Sequence, residues 1–135
     1  MATQGKLKKI LVADDDNAIM LIIDYLLSKE GYKVIKLSTG DVMNKIKSNS
    51  PDLILLDICL GGMDGREICN KLKTNPFTKN IPVIIISANL DIEKLALQAG
   101  ADDFIGKPFN INHLLNKVAE YSNIYTSKKE TNLSN

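Results

Sequence analysis

The chain has 135 residues, of which 44% are hydrophobic and 24% charged, and its formal net charge is +1. This size and composition indicate one ordinary globular domain and exclude a largely disordered chain, which would be less apolar and more unevenly charged. A net charge this close to zero gives no argument for a protein that binds nucleic acid or an anionic membrane surface.

The two cysteines, Cys59 and Cys69, are not spaced as a C-x-x-C pair. The first apolar run is short and follows lysines, so it lacks the form of a secretory signal. No run approaches the ~20 apolar residues of a membrane helix. We therefore expect a cytoplasmic protein with reduced thiols and no membrane partner.

Short apolar runs alternate along the chain with amphipathic segments. The first run, Lys8–Ala13, predicts a buried strand, and Ala18–Gly31 predicts a helix that ends at a glycine suited to a C′ position. A second strand is predicted over Tyr32–Leu37, and the apolar spacing within Asp41–Asn49 predicts a second helix.

The middle of the chain continues this alternation. Asp52–Ile58 is a nearly continuous apolar run, typical of a strand that is covered on both faces. In the helix that follows, Asp64 and Glu67 have the spacing of a capping box. Ile81–Ser87 predicts the most hydrophobic strand of the chain.

The last third predicts one more helix, a short strand and a final helix. Asp91 is expected to be the N-cap of the fourth helix and Gly100 to end it. A short strand is predicted within residues 102–108, followed by a helix over Asn110–Tyr121. The polar residues 122–135 are expected to form a C-terminal tail or the start of a linker, so that the domain spans residues 8–121.

Five strand–helix units in strict alternation predict an α/β fold. Such alternation indicates a parallel sheet with right-handed crossovers and helices on both faces, which is a doubly wound arrangement.

Polar residues follow these strands where ligands bind in open α/β sheets, beyond the carboxyl ends of the strands. They comprise four carboxylates, a hydroxyl and an ammonium, namely Asp14, Asp15, Asp16, Asp57, Ser87 and Lys107. Crowded carboxylates favour a hard cation such as Mg²⁺, to which the backbone carbonyl of Cys59 could add an oxygen ligand. The single histidine, His113, has no zinc-type grouping around it.

Asp57 is the most informative of these residues. An aspartate that ends a strand of leucines and isoleucines is not explained by packing, and Asp64 already supplies the cap of the next helix. We therefore expect a chemical role for Asp57.

Four motifs together resemble a response-regulator receiver domain of two-component signalling. They are the acidic pair after the first strand, "LLDICLGGMDG" around Asp57, "SA" after the fourth strand and "GKPF" after the fifth. The resemblance covers about Lys8–Tyr121 and implies the flavodoxin-like strand order 2-1-3-4-5.

The resemblance implies a role for each acidic residue. Asp57 would be the phosphoacceptor, whose carboxylate forms an aspartyl phosphate. Asp14, Asp15, Asp57 and the carbonyl of Cys59 would hold Mg²⁺. Asp16 is expected to face solvent or to help begin the first helix.

The same resemblance implies the remaining site residues. Ser87 would contact a phosphoryl oxygen and couple phosphorylation to loop movement, and Lys107 would pair with the phosphoryl group. Lys107–Pro108 would be a cis peptide bond. Phe104 occupies the position of an aromatic switch residue that is often tyrosine in the family.

The implied function is a phosphorylation-dependent switch, not an enzyme with a separate substrate. The phosphodonor would be a sensor histidine kinase, a phosphotransfer protein or a small phosphodonor. Phosphorylation would shift the face of the fourth helix, fifth strand and fifth helix, and so control an unknown downstream protein or output domain. A phosphorylation-linked homodimer is one expected assembly, and direct binding of nucleic acid by this domain is not expected. Partner-surface candidates are Lys94, Gln98, Phe104 and His113.

Four positions depart from the usual family pattern or tune the chemistry of the site. Gly61 stands where the family usually has proline, and glycine permits a positive φ and a looser loop. Phe104 cannot donate a hydrogen bond as a tyrosine would. Cys59 and Asn89 occupy the two positions that tune the lifetime of the phosphate.

Two alternatives remain open. An enzyme of the haloacid-dehalogenase type would use the D-x-D of Asp14–Asp16, but Asp57 would then have no role, and the acidic pair Asp102–Asp103 precedes Lys107 when it should follow it. A pseudo-receiver would keep the fold without accepting phosphate, although the full set of site residues argues against that loss.

Overall fold

The computed structural model describes residues 7–39 and 41–134, with side chains up to residue 123. Its elements, in chain order, are β1 Lys9–Ala13, α1 Asn17–Lys29, β2 Lys33–Leu37, α2 Val42–Asn49, β3 Leu53–Asp57, β4 Cys59–Leu60, β5 Met63–Asp64, α3 Gly65–Thr74, β6 Val83–Ser87, α4 Ile92–Ala99, β7 Asp103–Gly106 and α5 Ile111–Ser134. The predicted alternation is confirmed, and a short antiparallel hairpin, β4–β5, is added between β3 and α3.

The main sheet has the order β2-β1-β3-β6-β7, and all of its strand pairs are parallel. Without the two hairpin strands, this is the predicted order 2-1-3-4-5. The strand order reverses between β1 and β3, so that the loops after these neighbouring strands diverge and leave a crevice beyond their carboxyl ends.

Each face of the sheet carries its own hydrophobic core. Leu11, Ile54 and Ile85 belong to a cluster with residues of α2, α3 and α4. Their strand neighbours point to the opposite face and form a second cluster with α1 and α5. Every residue of β3 and β6 is therefore buried, which explains why these segments are continuous apolar runs.

The first helix has well-defined ends. The side chain of Asp16 accepts hydrogen bonds from the amides of Ala18 and Ile19, so Asp16 is the N-cap of α1. At the other end Gly31 has φ +94°, and the amide of Tyr32 donates to the carbonyl of Leu27 in a Schellman arrangement. Both ends agree with the sequence-based expectation.

One local prediction is confirmed in position only, and another needs correction. Asp91 lies at the N-cap position of α4, but its side chain makes no capping hydrogen bond. Its amide instead donates to Asn89 Oδ1 at 2.8 Å. The strand predicted from Ile81 begins at Val83, because Pro82 has no amide hydrogen to donate to a strand ladder.

The last helix extends beyond Tyr121. The polarity of residues 122–135 predicted a tail or a linker, whereas α5 continues to Ser134. The domain limits of 8–121 and the role of the segment after them remain predictions. Within the described residues, none of the helices combines the length and the apolarity needed to cross a membrane.

Candidate functional site

Three carboxylates meet at the carboxyl ends of β1 and β3. Asp14, Asp15 and Asp57 each offer an oxygen, and these oxygens all lie within 4.8 Å of one another. Asp14 follows Ala13, which is paired with Leu56, so the strand register brings Asp14 beside Asp57. Asp14 and Asp57 are buried, whereas Asp15 is exposed.

Lys107 joins the two buried carboxylates. Its Nζ lies 2.9 Å from Asp14 Oδ2 and 3.0 Å from Asp57 Oδ2. The loop after β7 carries this lysine, and the Lys107–Pro108 peptide bond is cis, as predicted. One ammonium beside three carboxylates leaves negative charge uncompensated, so the cluster can accept a further cation.

Burial and hydrogen bonding shift the pKa values of Asp14 and Lys107 in opposite directions. Burial, with a smaller contribution from the charge of Asp57, raises the pKa of Asp14, although bonds from the Asp16 amide and Lys107 oppose the rise. Burial also disfavours the charged form of Lys107, but its bonds to Asp14 and Asp57 outweigh that cost and raise its pKa. Lys107 is therefore a permanent cation at neutral pH.

Ser87 ends the strand next to Asp57. Asp57 is paired with Ile86, so the buried Ser87 lies one position further along β6. Its Oγ accepts a hydrogen bond from the amide of Asn89 at 3.0 Å. This bond uses a lone pair of the hydroxyl oxygen and leaves the hydroxyl hydrogen for donation.

The β4–β5 hairpin contacts two carboxylates of the acidic cluster. Gly61 and Gly62 form its two-residue turn with φ of +52° and +89°, the combination that a type I′ turn requires. Gly61 thus uses the positive φ that glycine permits. The amide of Gly61 donates to Asp15 Oδ2 at 3.2 Å, and the amide of Cys59 approaches Asp57 Oδ1 at 3.4 Å.

Gly65 lies against the backbone of the candidate site and was not identified from the sequence. A Cβ at this position would lie 2.1 Å from the backbone oxygen of Asp57 and 2.9 Å from the Cα of Ile58. The amide of Gly65 also donates to the carbonyl of Ile58 at 2.6 Å. Only glycine allows α3 to start this close to the end of β3, and "MDG" as a sequence indicated no more than a turn.

The acidic pair Asp102–Asp103 lies outside the site. Asp102 Oδ2 accepts from Lys73 Nζ and from the amide of Val83, at the amino end of β6 and thus far from the carboxyl edge. Asp103 binds residues of α5. This placement contradicts the dehalogenase-type alternative, which needs an acidic pair at the reaction centre.

The candidate switch and partner residues lie away from the carboxylates. Phe104 is half-buried on β7 and packs against the cluster formed with α2, α3 and α4. Lys94, Gln98 and His113 are exposed. The two cysteines are free, and burial raises the pKa of Cys69 to about 11, whereas Cys59 is exposed beside Asp57.

Comparison with known proteins gives one family match. The sequence model of the response regulator receiver domain matches residues 10–119.

Solved structures show the same likeness. A CheY-like response regulator receiver domain protein from Methanospirillum hungatei JF-1 is 32% identical with a TM-score of 0.81, and the match covers 91% of this chain and 99% of that one. The receiver domain of NtrX from Brucella abortus is 35% identical with a TM-score of 0.74, covering 84% of this chain and 96% of that one. The signal receiver domain of a signal transduction histidine kinase from Syntrophus aciditrophicus is 29% identical with a TM-score of 0.79, covering 86% and 90%.

Proposed function

This chain belongs to the response regulator receiver domain family, and from that premise we propose that it is a magnesium-dependent switch phosphorylated on Asp57. Receiver domains act in two-component signalling, where phosphorylation changes their state. The phosphodonor proposed here is a sensor histidine kinase, a phosphotransfer protein or a small phosphodonor.

The observation that carries the proposal is the position of Lys107 between Asp14 and Asp57. A lysine with bonds of 2.9 and 3.0 Å to two buried carboxylates keeps a positive charge at the end of β3. Phosphoryl transfer requires mainly positioning and the neutralisation of charge on the transferred group. Lys107 supplies both beside the acceptor.

The residues present fit a hard divalent cation. Three carboxylates with oxygens within 4.8 Å of one another and with excess negative charge are the donor set that Mg²⁺ prefers. Asp14, Asp15, Asp57 and the backbone carbonyl of Cys59 would hold the ion. When bound, Mg²⁺ would neutralise charge on the phosphoryl oxygens.

The proposed reaction is a displacement at phosphorus by the Asp57 carboxylate. An Asp57 oxygen forms a P–O bond while the P–N bond of the phosphohistidine breaks. The electron pair of that bond goes to the imidazole nitrogen, which takes a proton from solvent. With an acyl phosphate, the P–O bond to the acyl group breaks and a carboxylate leaves. Lys107 then donates a hydrogen bond to the phosphoryl group in place of its bond to the Asp57 carboxylate. Ser87 donates its hydroxyl hydrogen to a phosphoryl oxygen.

The proposed output begins at Ser87. Because the Asn89 amide binds Ser87 Oγ, movement of this hydroxyl toward the phosphoryl group would move the loop that leads into α4. Phe104, half-buried on the neighbouring β7, would repack when that loop moves. We propose that the α4–β7–α5 face thereby controls a downstream protein or output domain, or a phosphorylation-linked homodimer.

The test is chemical trapping of the phosphorylated residue. The chain is treated with acetyl phosphate and Mg²⁺, reduced with borohydride and mapped by mass spectrometry, with Asp57→Asn as the control. We expect modification at Asp57 that is lost in the control and on chelation of Mg²⁺. Modification at Asp14 would contradict the proposal. Absence of modification, with an amide NMR spectrum unchanged by Mg²⁺ and beryllofluoride, would identify a pseudo-receiver instead.

A further inference from the structure

We propose that Gly61 is a positioning residue of the metal site, whose backbone N–H holds the Asp15 carboxylate beside Asp14 and Asp57. This inference rests on the magnesium site of the proposed function. It concerns how this chain keeps its one exposed acidic ligand in place.

Asp15 needs such a partner more than the other two carboxylates. Lys107 binds Asp14 and Asp57, and both are buried, so their positions are determined by packing and by an ion pair. Asp15 is exposed, and repulsion from the two neighbouring carboxylates drives its side chain toward solvent. Among the described residues, the hydrogen bond recorded for the Asp15 carboxylate comes from the Gly61 amide at 3.2 Å.

The β4–β5 hairpin presents this amide because of its turn. Gly61 and Gly62 both have positive φ, and the resulting type I′ turn directs the Gly61 N–H to a residue 46 positions earlier in the chain. A Cβ at Gly61 would lie 3.9 Å from the Ser38 oxygen, which is an ordinary contact. Glycine is therefore favoured at this position by its positive φ and not by a lack of space, whereas the N–H is a donor that every residue except proline would supply.

Proline, which the family usually has at this position, would change both features of Gly61 in this chain. Its ring restricts φ to about −65°, and it has no N–H to donate. The hairpin therefore has a glycine that supplies a hydrogen bond where a proline could supply none. Hydrogen bonds of this kind orient metal ligands, and their removal typically weakens metal binding by about 10–100-fold.

The sharpest test removes the N–H and keeps the turn. Replacing the Gly61 N–H by an ester oxygen preserves the glycine conformation. Cys59 and Cys69 bracket the hairpin, so a synthetic segment of residues 59–68 can be ligated between the two flanking segments to rebuild the full chain. An ester at Gly62 is the matched control, and Mg²⁺ affinity is measured by titration calorimetry.

We expect the Gly61 ester to weaken Mg²⁺ binding about tenfold and the Gly62 ester to leave it within about twofold of the unmodified chain. Phosphorylation of the Gly61 ester at saturating Mg²⁺ should reach the level of the unmodified chain, because the acceptor is intact. An unchanged affinity would overturn the inference. A tighter affinity would also overturn it, since the N–H would then compete with the metal.

A recombinant series separates the N–H from backbone strain. Gly61→Ala keeps the N–H at a strained φ and should retain Mg²⁺ affinity within about threefold, whereas Gly61→Pro should lose at least about tenfold. Equal losses in the two variants would assign the effect to the turn and not to the hydrogen bond. If the unmodified chain bound no Mg²⁺, the proposed function itself would fail, which is distinct from an ester without effect.

Discussion

Three consecutive aspartates follow β1, and each has its own electrostatic environment. Asp14 is buried against Lys107, Asp15 is exposed and accepts from the Gly61 amide, and Asp16 caps α1. The first two belong to the candidate metal site, whereas Asp16 stabilises a helix end.

Substitution of the second and third aspartates should separate these roles. Asp15→Ala is expected to abolish Mg²⁺-dependent phosphorylation of Asp57, because it removes an oxygen ligand. Asp16→Ala should largely spare phosphorylation but lower the free energy of unfolding by about 1 kcal/mol, because the N-cap is lost. Phosphorylation is followed by mass spectrometry and stability by urea unfolding. A similar loss of phosphorylation in both variants would contradict this division of roles.

Asp103 is a charged residue with a structural role on β7. Its carboxylate accepts from Lys117 Nζ at 2.5 Å and from the Tyr121 hydroxyl at 2.9 Å. Burial alone would raise the pKa of Asp103, but these bonds and one from the Phe104 amide outweigh it and lower the pKa. Burial and the carboxylate together raise the pKa of Tyr121 to about 12, so Tyr121 remains a donor at neutral pH.

The sign of this shift predicts a pH dependence of stability. The folded state depresses the pKa of Asp103. The ionised carboxylate therefore adds to the free energy of unfolding above the unfolded-state pKa, and this stabilisation is lost as pH falls through the folded-state pKa. Asp103→Asn should cost about 1.5 kcal/mol near neutral pH, and the difference should shrink below about pH 4. Urea unfolding across this range measures it. The exposed Asp91, whose side chain makes no capping bond, provides the control Asp91→Asn. A difference that is constant with pH would contradict the argument.

At the scale of elements, the junction of β3 with α3 is tightly packed against the site. The hairpin between them places the Cys59 and Gly61 amides on two carboxylates, and Gly65 lets α3 begin against the backbone of Asp57. Strand, hairpin and helix therefore together hold Asp57, the proposed phosphoacceptor, in place.

A glycine pair tests this junction. Gly65→Ala should lower the free energy of unfolding by about 3 kcal/mol, because the new methyl group would overlap backbone atoms that cannot move independently. Gly106→Ala should be neutral or stabilising by up to about 0.5 kcal/mol, because no atom lies within 4 Å of a Cβ there. Urea unfolding of both variants gives the comparison. A tolerated Gly65→Ala would mean that α3 can shift away from β3.

At the scale of the whole molecule, the acidic cluster joins segments that are distant in the chain. Asp14, Asp57 and Lys107 come from three strand ends, and both hydrophobic cores pack against those strands. The cluster therefore exists only in the folded state, and a ligand that binds it stabilises the whole domain.

Magnesium should accordingly raise global stability. At ten times its dissociation constant, Mg²⁺ should add about 1.4 kcal/mol to the free energy of unfolding. In Asp16→Ala the free energy of unfolding without Mg²⁺ should be lower, but Mg²⁺ should still add the same increment. In Asp15→Ala the increment should be lost. Urea unfolding with and without Mg²⁺ measures the increment, and an equal increment in Asp15→Ala would place the ion elsewhere.

The sequence by itself determined the alternation of strands and helices and the residues that end each strand. Apolar runs and helical spacing depend on neighbours in the chain, so β1, β3 and the helix ends at Asp16, Gly31 and Gly100 could be predicted from local pattern. Asp57 was identifiable because a carboxylate at the end of an apolar strand has no packing explanation. The order of the strands followed only from the family resemblance.

The tertiary structure alone decided the contacts between distant segments. The Gly61 bond to Asp15, the approach of Gly65 to Asp57, and the bonds of Asp102 and Asp103 depend on which strands are neighbours and on how far each loop extends. No local pattern encodes these contacts, because each joins segments that are distant in the chain. For the backbone donors there is a second reason, since a backbone N–H is the same in every residue except proline. Tertiary packing determines which acceptor each backbone N–H meets. The backbone donors of the site could therefore not be predicted from the sequence.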